Sequence, residues 1–255
     1  MVNLNKLKLV VLKCPYTTWH DPVTQYFFNK TIELKIDGYQ RKHFYGVLPF
    51  DQTDFVADHL LICTDDKYDV KNLIPISGVK SLPHDICNPF KIDFTVSAFF
   101  KKSNQLKHLA SVEESVAECL KANRRISYYS SWTQSPQIRK DPETVARMKE
   151  IFAAMTVFHH CEENITDLLG LGLPKFNTDQ FFMNWGFERS TVNGAPVENV
   201  PLSFLDGIDC VLMHLRGYSD YAKSMTEKYM SLWSDRLVVG KSLADIMAAT
   251  EKKAA

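Results

Sequence analysis

The sequence predicts an α/β domain: a mixed, mostly antiparallel sheet with helices on both faces and a helical extension at the C-terminus. Three observations predict it. Residues 126–187 read as strand, loop, long helix, strand, short helix. Residues 55–82 read as an antiparallel hairpin, and residues 219–237 place apolar side chains at helical spacing after the last strand.

The elements follow in order. Leu7 to Leu12 is an opening strand. Asp21 caps and Pro22 starts a helix that runs through Val23, Tyr26 and Phe27 toward Ile36, where Asp37-Gly38 ends it. A loop from Tyr39 to Phe50 leads to Asp51-Gln52-Thr53-Asp54, then to a strand from Phe55 to Cys63 and a turn at Asp65-Asp66-Lys67. The next strand, Asn72 to Leu82, contains Pro75, which marks an edge or a bulge, and Gly78, which admits close backbone approach. A strand is expected at Ile92 to Phe100, and Ser111-Val112-Glu113-Glu114 reads as a capping box opening a short helix that ends before Asn123.

Ile126 to Thr133 is rich in β-formers. Asp141-Pro142-Glu143 supplies a cap, a first-turn proline and an acid for a helix reaching about Phe158. Ile165 to Leu173 is a buried strand closed by Pro174, and Phe176 to Trp185 is a short helix stopped by Gly186. Glu188 to Val192 pairs across the Asn193-Gly194 turn, and Asp209 to Leu215 is the last strand. The helix from Ser219 to Leu237 carries an apolar face that either packs on the domain or forms a homodimer surface. Ser242 to Asp245 caps a final short helix, and the tail from Glu251 to Ala255 frays.

Thirty basic and thirty acidic residues cancel, so nothing in the overall charge calls for nucleic acid. Leu4 to Leu12 is interrupted by Lys6 and Lys8, so no signal peptide or membrane span opens the chain; a cytoplasmic protein without integral membrane association is expected. Six cysteines without C-x-x-C spacing read as buried free thiols, and only Cys161, beside His159 and His160, is a nucleophile candidate. The two histidines suit the negative end of the helix they close. No set of His, Asp and Glu has the spacing of a metal site, so none is expected.

Residues Asn177-Thr178-Asp179-Gln180-Phe181-Phe182-Met183-Asn184-Trp185-Gly186-Phe187-Glu188 resemble the short helix and Gly-Phe turn of the GNAT acyltransferase fold. With Asp51-Gln52-Thr53-Asp54 ahead of a strand and Ala153-Ala154-Met155 on the long helix, the chain is most similar to the acyl-homoserine lactone synthases and the N-acyl amino acid synthases. The similarity spans roughly Val23 to Leu215. It implies a sheet splayed at its centre, a GNAT-like domain over 1–217 and a helical extension over 218–255. It also implies an N-acyltransferase that takes its acyl group from acyl-CoA or an acyl carrier protein, holds no permanent cofactor, and acylates an amino acid or similar small amine. Where those synthases carry Glu-x-Ser-Arg, this chain has Tyr128-Tyr129-Ser130-Ser131, and their hairpin arginine falls near Lys80. Two other readings stay open: a GNAT-fold binding or regulatory module without catalysis, and an acetyl-CoA-dependent acetyltransferase.

Acyl transfer to an amine needs a base, a polarised carbonyl and an acid for the leaving thiolate. Asp51, Asp54 and Asp58 are the candidate bases, with turn capping as the alternative role for Asp51 and Asp54. Tyr128 and Tyr129 are candidate acids that point to opposite faces of their strand. The donor is expected along Ser130, Ser131, Trp132 and Thr133, with Arg139 and Lys140 at a helix start for its phosphates. Arg124 and Arg125, at the far end of that strand, are expected to be solvated. Phe152, Met155, Leu169, Leu171, Phe181 and Phe182 are the candidate lining of an acyl-chain slot, or plain core.

Overall fold

The computed structural model describes residues 6–43, 49–64, 70–202 and 207–241. In chain order these form β1 (Leu7–Lys13), α1 (Pro22–His43), β2 (Asp58–Thr64), β3 (Ile74–Pro83), α2 (His84–Cys87), α3 (Thr95–Lys102) and α4 (Leu106–Lys121). Then come β4 (Arg125–Gln134), α5 (Pro142–Glu162), β5 (Ile165–Gly172), α6 (Thr178–Trp185), β6 (Phe187–Arg189), β7 (Thr191–Val192), β8 (Ala195–Pro196) and β9 (Val200–Leu202). The chain closes with β10 (Ile208–Leu215), α7 (Asp220–Ser234) and β11 (Leu237–Gly240). Taken ladder by ladder, the strand order is β11-β1-β2-β3-β4-β5-β10-β6 with β9 beside β10, so β4 is an interior strand. No helix among the described residues is long and apolar enough to cross a membrane.

Two compact units emerge, Met1–Ser81 with Ser131–Met148 and Ser231–Ala255, and Leu82–Ser130 with Lys149–Met230. In the first, β1 pairs antiparallel with β2 and parallel with β11, and β2 pairs antiparallel with β3. The register slips between Ile62 and Cys63, opposite Pro75, which is where proline cannot donate to the ladder. The α1 helix buries Thr24, Phe27, Phe28, Thr31, Leu34, Lys35 and Gly38, a stripe at three- and four-residue spacing. Phe27 and Phe28 pack with Val10, Leu12, Leu61, Cys63 and Val239 into one core cluster.

In the second unit, the first half of β4 runs parallel to β5, with Tyr129 opposite Gly170, and β5 pairs antiparallel with β10. Alternation along the strands separates two faces. His214 and Asp167 face α4, because His214 Nδ1 lies 3.3 Å from Ser115 Oγ. Gly170 and Gly172 face α6: a Cβ on Gly170 would lie 3.5 Å from Phe182, and one on Gly172 only 2.7 Å from the Asp179 Cα. Asn193 (φ 50°) and Gly194 (φ 76°) form the turn between β7 and β8.

Several sequence expectations change. Gly38 does not end α1, which continues to His43; the glycine answers a close approach instead, since Thr133 Cγ2 sits 2.3 Å from where a Cβ would be. Residues 95–102 form a helix rather than a strand, burying Val96 and Phe100 one turn apart. Ser111 is not a cap: α4 begins at Leu106, and the Ser111 hydroxyl donates to the Thr191 carbonyl. Leu237 to Gly240, expected at a helix end, is a strand beside β1. Arg124 and Arg125 are not solvated singletons, since Arg124 pairs with Asp167 and Arg125 with Asp85 and Glu163. Five cysteines are buried free thiols, but Cys161 is exposed. Burial, with the neighbouring His159, holds His160 neutral, its pKa well below the usual range; it bonds Tyr218 at 2.7 Å instead of capping the helix as a cation. The loop expected from Tyr39 begins instead as the last turn of α1, and its residues 44–48, the expected turn at 65–67, the final helix at 242–245 and the tail at 251–255 lie outside the described residues.

Candidate functional site

The polar chemistry of the first unit collects where α1, β3 and the short turn before β2 meet. Asp51 caps a single 3₁₀ turn (Gln52–Phe55): its Oδ1 accepts from the Thr53 N–H at 2.8 Å, and Asp54 Oδ2 accepts from the Asp51 N–H at 2.9 Å. That reciprocal cap aims Asp54 inward. There it meets Lys35 from α1 in an ion pair whose side chains are 3% and 0% exposed, and Lys80 from β3 at 3.3 Å. Lys80 also donates to Thr53 Oγ1 at 2.7 Å and stands 3.6 Å from Asp51 Oδ1. Asp51 itself is the outward member of the group, its side chain 52% exposed.

Electrostatics follow from burial. Desolvation alone would raise the Asp54 carboxyl, but Lys35 and Lys80 outweigh it and hold the group well below the ordinary carboxylate range. Lys35 is brought down to about 8, first by burial and then by the charge of Lys80, with Asp54 opposing both. His59 Nε2 lies 2.7 Å from the Asp54 carbonyl, and burial with the nearby Lys35 lowers it to about 4, so it is a neutral donor there. The capping and catalytic roles proposed for Asp51 and Asp54 are therefore not exclusive. The same turn caps itself and presents one carboxylate outward and one inward. Asp58 is separate: its Oδ1 accepts from the Cys14 N–H at 3.0 Å.

The second half of β4 belongs to the same unit. Ser131 has φ 57°, in the left-handed region, at the point where the ladder to β5 has stopped at Tyr129. Beyond it the strand pairs with β3, the Ser135 N–H donating to Ile76 and Ser77 Oγ donating to the Thr133 carbonyl. The Thr133 hydroxyl donates to the Ser131 carbonyl at 2.9 Å. Trp132 is partly exposed, and Ser130 Oγ is buried without a hydrogen-bond partner among the described residues. A non-glycine residue with positive φ in an interior strand is strained backbone, a feature that concentrates at functional sites. Arg139 is half-buried and donates to the Gly38 carbonyl at 3.0 Å, while Lys140 is exposed just before α5. Asp141 caps α5 through Glu143 N–H and the Thr144 hydroxyl.

The remaining candidates lie in the second unit and divide between its two faces. Tyr129 is on the α5 side, its hydroxyl 2.7 Å from Thr156 Oγ1, and burial raises its pKa well above the phenol range. Since Thr156 donates to the Phe152 carbonyl, Tyr129 donates to Thr156. Tyr128 points the other way, edge-on to Phe94 at 6.3 Å. Phe152 and Met155 on α5 and Phe181 and Phe182 on α6 share the face of Tyr129, and the Phe182 ring stacks on Phe187 at 4.9 Å. Leu169 and Leu171 alternate with Gly170 and so share the opposite face with Tyr128; Leu169 is fully buried and Leu171 only partly. The six apolar candidates therefore do not line one slot.

Sequence reasoning passed over Lys35, Thr53 and His59. Lys35 carried a signal, being a charged residue on the apolar stripe of α1. The second unit also holds a buried line in which Ser115, His214, Asp167 and Arg124 follow one another at 3.1–3.3 Å. The Ser115 hydroxyl donates to the Ser111 carbonyl at 2.9 Å, which makes this a device for seating α4.

No protein-family model and no curated protein matches the sequence. Among solved structures, the CoA-dependent acyl-homoserine lactone synthase BjaI, with SAM and isopentyl-CoA, is similar over 96% of this chain and 99% of its own, at 10% identity and a TM-score of 0.54. A second CoA-dependent acyl-homoserine lactone synthase, MesI, is similar over 88% of this chain and 95% of its own, at 10% identity and a TM-score of 0.50. The chain has the GNAT-like fold of these synthases.

Proposed function

We propose that the protein is an N-acyltransferase, moving an acyl group from an acyl thioester to the amine of an amino acid or related small molecule. The observation that carries this is the presence, in one unit, of Ser131 in left-handed backbone just past the end of the β5 ladder and of an outward carboxylate, Asp51, backed by a buried Lys80 and Asp54. The fold shared with two CoA-dependent synthases supports it.

In this proposal the thioester lies along residues 130–133, where backbone groups released from the β5 ladder polarise its carbonyl. Arg139, partly desolvated and donating to the Gly38 carbonyl, and exposed Lys140 receive the donor's phosphates at the start of α5. Asp51 takes the proton of the acceptor amine, being the exposed member of the cluster. Asp54 holds the two lysines and does not itself meet substrate. Acyl-CoA is the donor supported by the two structural neighbours, with an acyl carrier protein as the other carrier. Within the second unit, Phe152, Met155, Phe181 and Phe182 share one apolar face of aromatic and flexible methionine side chains, the kind of surface an acyl chain takes. On helix α7, Ala222, Tyr229 and Trp233 are buried within the chain, which leaves the exposed Tyr221 and Met230 for a homodimer contact, and the protein works without a resident cofactor or metal, in the cytoplasm.

Mass spectrometry of extracts from cells making the protein tests the proposal. N-acyl amines are expected with the wild type and absent with Asp51→Asn. Identical extracts from both would overturn it.

A further inference from the structure

From Lys80 outward, the side-chain hydrogen bonds of the Asp51 turn run in one direction. Lys80 Nζ donates to Thr53 Oγ1 at 2.7 Å, and the Thr53 hydroxyl donates onward to Asp51 Oδ1 at 2.5 Å. Behind Lys80, Asp54 receives Lys80 on Oδ2 at 3.3 Å and Lys35 on Oδ1. The line starts at a side chain 52% exposed and ends at one 3% exposed. Thr53 is the only hydroxyl in it and is itself buried, at 3% exposure.

Charge bears on what such a line can do. Two ammonium groups, both nearly unexposed, face Asp54, the one fully buried carboxylate of the cluster. Of the other neighbours, His59 is neutral and Tyr39 is a phenol, while Asp51, half-exposed, pairs with Lys80 at 3.6 Å from the solvent side. Lys35, brought down to about 8 by burial first, is the member of the cluster that gives up a proton most readily. Lysine permits this and arginine does not.

We propose that Thr53 is a proton-transferring hydroxyl, and that Asp51, Thr53, Lys80, Asp54 and Lys35 form a path by which protons move between the exposed carboxylate and the buried lysine pair. Resting on the acyltransfer reading, the step is this: the N–H bond of the acceptor ammonium breaks and its proton goes to Asp51. The Asp51–Thr53–Lys80 hydrogen bonds then reverse, Thr53 giving up one proton as it gains another. A neutral lysine amine ends as ammonium. The acceptor nitrogen keeps its electron pair for attack on the thioester, and nothing is oxidised or reduced. The path makes the working base a lysine amine, better matched to an ammonium than a carboxylate is.

The test is proton exchange, which needs no turnover. In protein labelled with ¹⁵N-lysine, exchange of the Lys80 Nζ protons with water is measured by saturation transfer in the wild type, Thr53→Val and Thr53→Ser. The path predicts exchange slowed roughly tenfold or more in Thr53→Val and restored by Thr53→Ser. Equal exchange in wild type and Thr53→Val would overturn it. Should Thr53→Val not fold, Thr53→Ala carries the same comparison. With an active donor in hand, Thr53→Val is expected to lower kcat by about a hundredfold at unchanged KM, with Thr53→Ser recovering the pH profile. Slowed exchange without acyl transfer from any donor would uphold the path and reject the acyltransferase; transfer with unchanged exchange would do the reverse.

Discussion

Lys35 and Asp54 form an ion pair in which neither side chain is more than 3% exposed. Asp54 is also the partner of Lys80, so the two ends of the pair are not equivalent. Asp54→Ala leaves two buried lysines without the carboxylate that both of them contact and is expected to cost about 3–5 kcal/mol. Lys35→Met removes a buried charge, keeps the stem's apolar contacts and leaves Lys80 with Asp54, and is expected to cost much less. Urea denaturation of the two variants measures this, and equal losses would mean that the cluster is not organised around Asp54.

Stability should fall on acidification before the surface carboxylates titrate. His59 is held down to about 4 by burial first and then by Lys35, against an ordinary 6.5. Between those values the unfolded chain binds more protons than the folded one, so stability rises with pH there and is lost as pH falls. The fully buried His160 acts in the same direction, and Asp54, lowered from 3.8, extends the loss below that pH. The His59 contribution is on the order of 3 kcal/mol across the window. Unfolding curves from pH 7 to pH 4 for wild type and His59→Gln test it: the variant should show a shallower slope, and parallel curves would contradict the assignment.

Gly172 lets the first turn of α6 lie directly on β5. A Cβ there would sit 2.7 Å from the Asp179 Cα and 2.9 Å from Met213 Sδ, and the helix backbone cannot yield as a side-chain end can. Gly172→Ala is expected to destabilise by about 1–3 kcal/mol. Thermal unfolding measures the loss, and an unchanged midpoint would show that α6 is free to shift.

Much of this was legible in the chain because local signals agreed with tertiary demand. Pro142 after Asp141, Gly186 after Trp185 and Asn193-Gly194 announce their elements by backbone preference alone. Asp51 and Asp54 were legible as a pair that caps a turn. What could not be read was tertiary compensation. Gly38 signals a helix end but stays helical, its missing Cβ making room for Thr133. Ser111 imitates a cap while bonding a carbonyl eighty residues away. The slot residues were assembled by composition, and strand alternation at Gly170 separates Leu169 and Leu171 from the rest.

Arg139 is expected to act on binding of the donor and not on chemistry. Arg139→Met should raise KM for acyl-CoA roughly tenfold with little change in kcat, and leave KM for an acyl-pantetheine lacking the phosphates unchanged. Equal effects on both donors would remove the phosphate contact from the proposal.

Because Met155 and Leu169 lie on opposite faces, they separate a chain-binding face from plain core. Met155→Trp should depress long-chain donors more than short ones, by about tenfold in relative kcat/KM, whereas Leu169→Trp should depress all donors alike. The reverse pattern would move the chain to the face of Tyr128.

Amine-dependent thiol release from purified protein, followed across a panel of acyl-CoA and acyl-carrier-protein donors and amino-acid acceptors, goes most directly to the question. One thiol released for each amide formed, lost in Asp51→Asn while Asp51→Glu retains part of it, is the predicted result. No release with any donor and acceptor, from protein that unfolds cooperatively, would contradict it and leave a GNAT-like fold used for binding alone.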